Sequence, residues 1–320
     1  MSITVVGSIA YDTVKTPFGE RERMLGGAAV HFALAASFFE DVSVVGPVGE
    51  DFGEEQIAVM TRRGVDVEGI ERIAGGRTFF WHGEYGWDLN SRETIDTQLG
   101  VFEGFEPKLT AGALTSDVLF LANIQPELQR QVRAQMPDAR FVALDSMNLW
   151  IDIARDSLLA AISEVDCVVL NDAELRQLTG KPNLVTAARE VLSWDPPSGG
   201  AGRGPSVVVA KQGEYGAALI TRESFFALPA YPLETVIDPT GAGDTFAGGF
   251  VGYIAAHPGE PLGDELLRGA MAHATVLASF NVEEFGTERI ERLEAAEIAE
   301  RIRDLQAMTQ FNGAPVALRG

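Results

Sequence analysis

The chain has 320 residues, 46% apolar and 22% charged, with 46 acidic side chains against 25 basic ones for a net charge of −21. This is the composition of a globular protein with a sizeable core, and its negative surface repels phosphate backbones, which excludes nucleic acid as the expected partner. One cysteine, Cys167, rules out a disulfide framework; the start MSITVVGSIAYD lacks the features of a signal peptide and no apolar run reaches membrane-spanning length, so the expected location is cytoplasmic, away from membranes.

ITVVGSI (Ile3–Ile9) reads as a buried strand ending in glycine and serine. GGAAVHFALAASFF (Gly26–Phe39) reads as a turn into an alanine-rich helix, and VSVVGPVG (Val42–Gly49) as a strand meeting a glycine loop. VLFLA, FVALD, CVVLN and VVVAK follow as short apolar runs from Val118, Phe141, Cys167 and Val207. Segments of helical composition, such as AELRQLTG and LVTAAREVL, lie between most of them. The alternation predicts an α/β protein with a mostly parallel sheet and helices on both faces. Cys167, inside an apolar run, reads as a core residue.

Two stretches break the rhythm. Arg77–Asp96 is polar and aromatic and suits extended strands outside the main core. Phe79, Trp81, Tyr85 and Trp87 would share one strand face, with Phe80, His82, Glu84 and Asp88 on the other. Ser193–Ser206, rich in Pro, Gly and Ser, reads as a mobile surface loop; its GAGRGP precedes no helix and is no phosphate loop.

DPTGAGDTFAGGF (Asp238–Phe250) carries the chemistry. Pro239 holds Asp238 extended, and Gly241 and Gly243 permit a tight turn. Phe246, Phe250, Tyr253 and Ile254 then recur at helical spacing, while Ala247, Gly248, Gly249 and Gly252 let that helix approach a neighbour closely. A glycine turn feeding a helix aims open N–H groups and the positive end of the dipole at one point, which is an anion site. Asp244 sits beside it. An aspartate at a helix start is commonly a cap, but the flanking glycines and second acid point to phosphoryl transfer. The N–H groups of Gly241, Ala242 and Gly243 would hold the phosphoryl oxygens, and Asp244 would take the acceptor hydroxyl's proton. The helix dipole is expected to lower the Asp244 pKa, leaving a weak but well-placed base.

DPTGAGDTFAGGF resembles the signature of the ribokinase-like (PfkB-type) sugar and nucleoside kinases, and other landmarks occur in the family's order nearly end to end. The resemblance implies a single ribokinase-like domain over 1–320. It would be a three-layer α/β/α sandwich with a mostly parallel central sheet and a small β lid from about 13–24 and 74–105. GSIAYD is similar to the family's first strand, making Asp12 a ligand of substrate hydroxyls; GGAAVHFALA implicates Gly26 and Gly27, with His31 where many relatives carry asparagine. NDAE resembles the N-x-x-E motif, so Asn171 and Glu174 would hold Mg²⁺ through water. KQGEYGA resembles a nucleotide-flanking turn, implicating Lys211 and Gly213, and LDSMNLW resembles a strand-end landmark with Trp150 in place of arginine. Asp238 and Thr240, with a segment near Asn281–Gly286, match positions that hold K⁺ in some relatives.

The function implied is an ATP-dependent kinase acting on a hydroxymethyl group of a small sugar, with Asp244 as base. A nucleoside kinase of the same mechanism is the alternative, because lid aromatics stack on bases and on sugar faces alike. A non-catalytic regulator on the same fold is the third reading. A dinucleotide dehydrogenase is disfavoured, since no GxGxxG follows the first strand. A lid with exposed aromatics is expected to be covered by ligand or by a second subunit's lid in a homodimer.

Overall fold

A computed structural model describes residues 1–194 and 204–310. Most of the loop expected at Ser193–Ser206 lies outside the described residues. The chain opens with β1 (Ser2–Val6), β2 (Ala10–Thr16), β3 (Gly19–Gly26) and α1 (Ala28–Ala36), then β4 (Asp41–Gly49), α2 (Glu54–Arg62) and β5 (Ile70–Ile73). Strands β6 (Phe79–Tyr85) and β7 (Arg92–Gln98) follow, then β8 (Val118–Leu121), α3 (Pro126–Gln135), β9 (Phe141–Asp145), α4 (Asn148–Ile153) and α5 (Arg155–Ile162). Next come β10 (Cys167–Asn171), α6 (Asp172–Thr179), α7 (Leu184–Leu192), β11 (Val207–Lys211), β12 (Ala217–Ile220) and β13 (Phe225–Leu228). Helices α8 (Ala242–Ala255), α9 (Asp264–Asn281), α10 (Glu288–Glu291) and α11 (Ala295–Thr309) end the described chain.

Nine strands form the main sheet in the order β13-β12-β11-β10-β9-β8-β1-β4-β5. All pairs are parallel except those that join β12 and β13 to the edge. The expected strands are all found, and alternation along them divides two cores. Val5 and Val169 face the side covered by α1, α8 and α9, whereas Val6 and Val168 face the side covered by α3, α5, α6 and α7. The result is a three-layer α/β/α sandwich. Burial on both faces explains why these strands read as continuous apolar runs. Cys167 lies in the core with its thiol pKa pushed well up by burial.

A smaller four-stranded sheet, in the order β3-β2-β6-β7, stands apart. Its β2–β6 pair is parallel and the outer pairs are antiparallel. One expectation for it fails: Trp87 does not share the face of Phe79, Trp81 and Tyr85. β6 ends at Tyr85, and Trp87 sits in the following turn, 90% exposed. No helix among the described residues is long and apolar enough to cross a membrane.

The close approach expected of the α8 helix is made to two neighbours. Gly248 and Gly252 face α1, where an added methyl group would overlap the Phe32 carbonyl and the Phe39 ring; Gly249 faces Ala274 of α9. The three helices pack as one block behind the turn that begins α8.

Candidate active site

The parallel strands end at one edge, where open α/β sheets form their ligand sites. β9 ends in Asp145, β10 in Asn171 and β11 in Lys211, and Asn171 and Lys211 are paired in register. Lys211 Nζ bonds Asp145 Oδ2 at 2.8 Å, with only 18% and 5% of the two side chains exposed. Burial alone would lower the lysine's pKa, but Asp145, Glu174 and Asp244 outweigh it and keep the ammonium charged. A side chain at Gly243 would come within 3.1 Å of that ammonium, so Lys211 lies directly beside the glycine turn.

The turn itself is held by Asp238, which is fully buried. Its Oδ1 accepts the Thr240 N–H at 2.8 Å and its Oδ2 the Gly286 N–H at 3.0 Å. Gly241 is the N-cap of α8 at φ 75°, a left-handed conformation that favours glycine. The Ala242 N–H turns back to Pro239 O at 3.3 Å. The N–H groups of Gly241 and Gly243 keep no partner among the described residues, so they are the open donors at this helix start.

Asp244 is half-buried in the first turn of α8. Its pKa is raised to about 7, by loss of water and then by the Asp145 charge, against Lys211 and Arg92. The expected weak base is therefore corrected: desolvation and a neighbouring carboxylate outweigh the helix dipole here. A carboxyl titrating near neutrality is well matched to general-base work.

Asp12, on β2, forms the opposite wall. It is buried, and its pKa is raised to about 7 by desolvation and by Asp238, while a bond from the Gly27 N–H pulls the other way. Its carboxylate fits only because position 26 is glycine, where a methyl group would overlap Oδ2. Gly27, at φ 98°, turns the chain into α1, and Ser8 Oγ accepts the Ala28 N–H at 3.0 Å. His31, in the first turn of α1, is buried and bonded through Nδ1 to Asn281 at 3.1 Å. Its pKa falls to about 4 because burial disfavours the charged ring.

NDAE folds as a capping box at the start of α6, with the Glu174 N–H donating to Asn171 Oδ1 at 2.7 Å and the Asn171 N–H to Glu174 Oε2 at 2.8 Å. Burial and the nearby Asp145 raise the Glu174 pKa to about 7. No cluster of three or more His, Cys, Asp or Glu able to grip a metal exists among the described residues. A hydrated divalent cation fits this place, because Asn171 and Glu174 offer only two oxygen-bearing side chains and a hard cation that keeps most of its waters needs no more.

Sequence reasoning missed Arg92 of the smaller sheet and saw Tyr85 only as one of the aromatics on its strand face. Arg92 opens β7, lies 5.4 Å over the Trp81 ring, and pulls down the pKa of Asp12, Glu174 and Asp244. Tyr85, its partner in register, accepts a hydrogen bond from the Thr240 hydroxyl at 3.2 Å. Arg92 reaches the site through its register opposite Tyr85, and register does not declare itself in composition. Asp145 showed as a strand-end landmark without a role. In the turn after β11, a methyl group added at Gly213 would lie 3.4 Å from Asn90 of the β6–β7 turn, and Asn90 Nδ2 donates to Glu214 at 3.0 Å. Trp150, in α4, donates its indole N–H to Asn123 at 3.0 Å.

The sequence profile of the pfkB family carbohydrate kinases matches residues 2–292. The chain belongs to that family. This PfkB kinase is 30% identical over 266 residues to the cytidine kinase of Thermococcus kodakarensis, covering 81% of this chain and 90% of that one. Its fold matches a nucleoside kinase of Burkholderia thailandensis in complex with ADP and inosine, at TM-score 0.78, 18% identity and 99% coverage of both chains. It also matches a putative ribokinase II of E. coli in complex with ATP and Mg²⁺, at TM-score 0.76, 19% identity and coverage of 95% of this chain and 99% of that one. The PfkB kinase gathers Asp238, Asp244, Glu174 and Lys211 at the strand ends of the main sheet and Asp12 against them from the smaller one, with Arg92 near enough to act on Asp12, Glu174 and Asp244.

Proposed function

We propose that this PfkB kinase moves the γ-phosphoryl group of ATP to a hydroxymethyl group of a small sugar. The carrying observation is the α8 turn, where two open N–H groups and the Lys211 ammonium lie beside a carboxyl poised near pH 7. Asp12 would bind acceptor hydroxyls and Asp244 would take the proton of the attacking one. The Gly241 and Gly243 amides, with Lys211 and Arg92, would stabilise charge on the transferring oxygens. Gly213 would flank the nucleotide. Asn171 and Glu174 would hold Mg²⁺ through water, and the ion when bound neutralises phosphate charge. The buried Asp238 forms no ion pair among the described residues, which favours K⁺ beside it and Thr240. Equal turnover in K⁺ and in choline salts would remove that assignment.

A nucleoside acceptor is the second reading. It is favoured by the 30% identity to a cytidine kinase and by Trp81 and Tyr85, rings on the same strand face, with Trp81 paired to Asp12. For either acceptor, Asp244→Asn is expected to keep ATP affinity within a few-fold and lose roughly 10²–10⁴-fold in turnover, the usual worth of a general base. Near wild-type turnover in that variant would remove Asp244 as the base.

Phe18, Trp87, Ile95 and Leu99 leave the smaller sheet with an exposed apolar set, 46–90% open to solvent. We infer that a second copy's sheet covers it in a homodimer.

A further inference from the structure

Asn281 is the last residue of α9, and it is wholly buried. Its single amide meets three segments that converge behind the glycine turn. Nδ2 donates to the Thr240 carbonyl at 2.8 Å. Oδ1 accepts the Thr245 hydroxyl of α8 at 2.9 Å and lies 3.1 Å from His31 Nδ1 of α1. Because Nδ2 is engaged by a carbonyl, Oδ1 faces both other partners, and the His31 proton must sit on Nδ1. The neutral ring then lies flat against Gly241, so close that a methyl group there would overlap it.

Peptide planarity makes the Thr240 contact matter for chemistry. In a trans peptide the carbonyl and the following N–H point in opposite directions. Holding the Thr240 carbonyl toward Asn281 turns the Gly241 N–H away from the protein interior. That N–H is one of the two open donors of the turn.

We propose that Asn281 is a positioning residue for phosphoryl transfer, fixing through the Thr240 carbonyl the aim of the Gly241 N–H at the transferring group. The role rests on reading the 241–243 turn as the anion site. Asn281 touches no substrate; it acts through the peptide before Gly241, with His31 as the backing of that peptide. The Nδ1 contact also gives His31 a place in the site that requires no contact with the acceptor.

The test compares the binding of Mg-ADP with and without aluminium fluoride, a mimic of the transferring phosphoryl group, and needs no identified acceptor. Asn281→Leu removes the amide at similar volume. Asn281→Asp keeps an acceptor for Thr245 and His31 but presents no donor to Thr240. Both are expected to bind Mg-ADP within about threefold of wild type and to lose roughly 10- to 100-fold of the extra affinity that fluoride confers. Ser279→Ala, which removes a buried hydroxyl bond to Val276 on the same helix end, is expected to lower thermal stability and leave the fluoride effect intact. A folded Asn281 variant with the full fluoride effect would overturn the proposal, as would an equal loss in Ser279→Ala. Failure of both Asn281 variants to fold would overturn it too, by assigning the residue to stability alone. Absence of any fluoride effect in the wild type would instead strike the anion-site reading.

Discussion

Strand β9 is buried at every position, whereas strand β7 is exposed at every position. Both deliver a charged residue to the same site, Asp145 from the first and Arg92 from the second. The carboxylate is held by packing on both faces of the main sheet, so its geometry comes with the fold. The guanidinium rides on a sheet edge with little beneath it, and its position depends on the cation–π contact with Trp81 and on the Tyr85 pairing. Under the proposed function, the dense half carries phosphate binding and proton removal, and the thin half closes over the acceptor.

Breaking the positive charge that the thin half brings to the site should have a large effect. Arg92→Ala is expected to lower turnover roughly 10- to 100-fold while leaving thermal stability near wild type, since the side chain is exposed. A turnover within twofold of wild type would confine the chemistry to the main sheet. The dense half predicts a different signature. As the proposed base, Asp244 would act only when ionised, so kcat/KM should fall as pH drops through about 7. Lys211 is the strongest influence lowering that pKa, so Lys211→Met should move the acid limb to higher pH as well as weaken nucleotide binding. An unmoved limb would mean that another group sets it. The smallest effect belongs to the outer face of the thin sheet. Trp87→Ser should change stability by no more than about 0.5 kcal/mol yet abolish self-association in sedimentation. A persisting dimer would place the interface elsewhere.

The same contrast explains what could be read from the sequence. The main sheet announced itself because strands buried on both faces must be continuous apolar runs, and VLFLA, FVALD, CVVLN and VVVAK all proved to be strands. The α8 turn was legible because a left-handed N-cap with open N–H groups favours glycine. The contacts that Arg92, Tyr85 and Asn281 make in the site were not legible. An arginine in a polar hairpin and an asparagine at a helix end are ordinary in composition, and their roles arise from register and from long-range packing. Trp87 was placed wrongly because alternation was carried two residues past the end of β6. The Asp244 pKa was misjudged because the dipole is visible in sequence, whereas burial and the approach of Asp145 are not.

The most direct measurement is ADP release by the wild-type protein with Mg-ATP over a panel of small sugars and nucleosides, against a control without acceptor. The structure predicts that members of one class raise ADP release well above the control, with a phosphate ester formed at a hydroxymethyl group. ADP release that no sugar or nucleoside raises above the control would contradict the assignment of the Asp244 turn to phosphoryl transfer onto such a group.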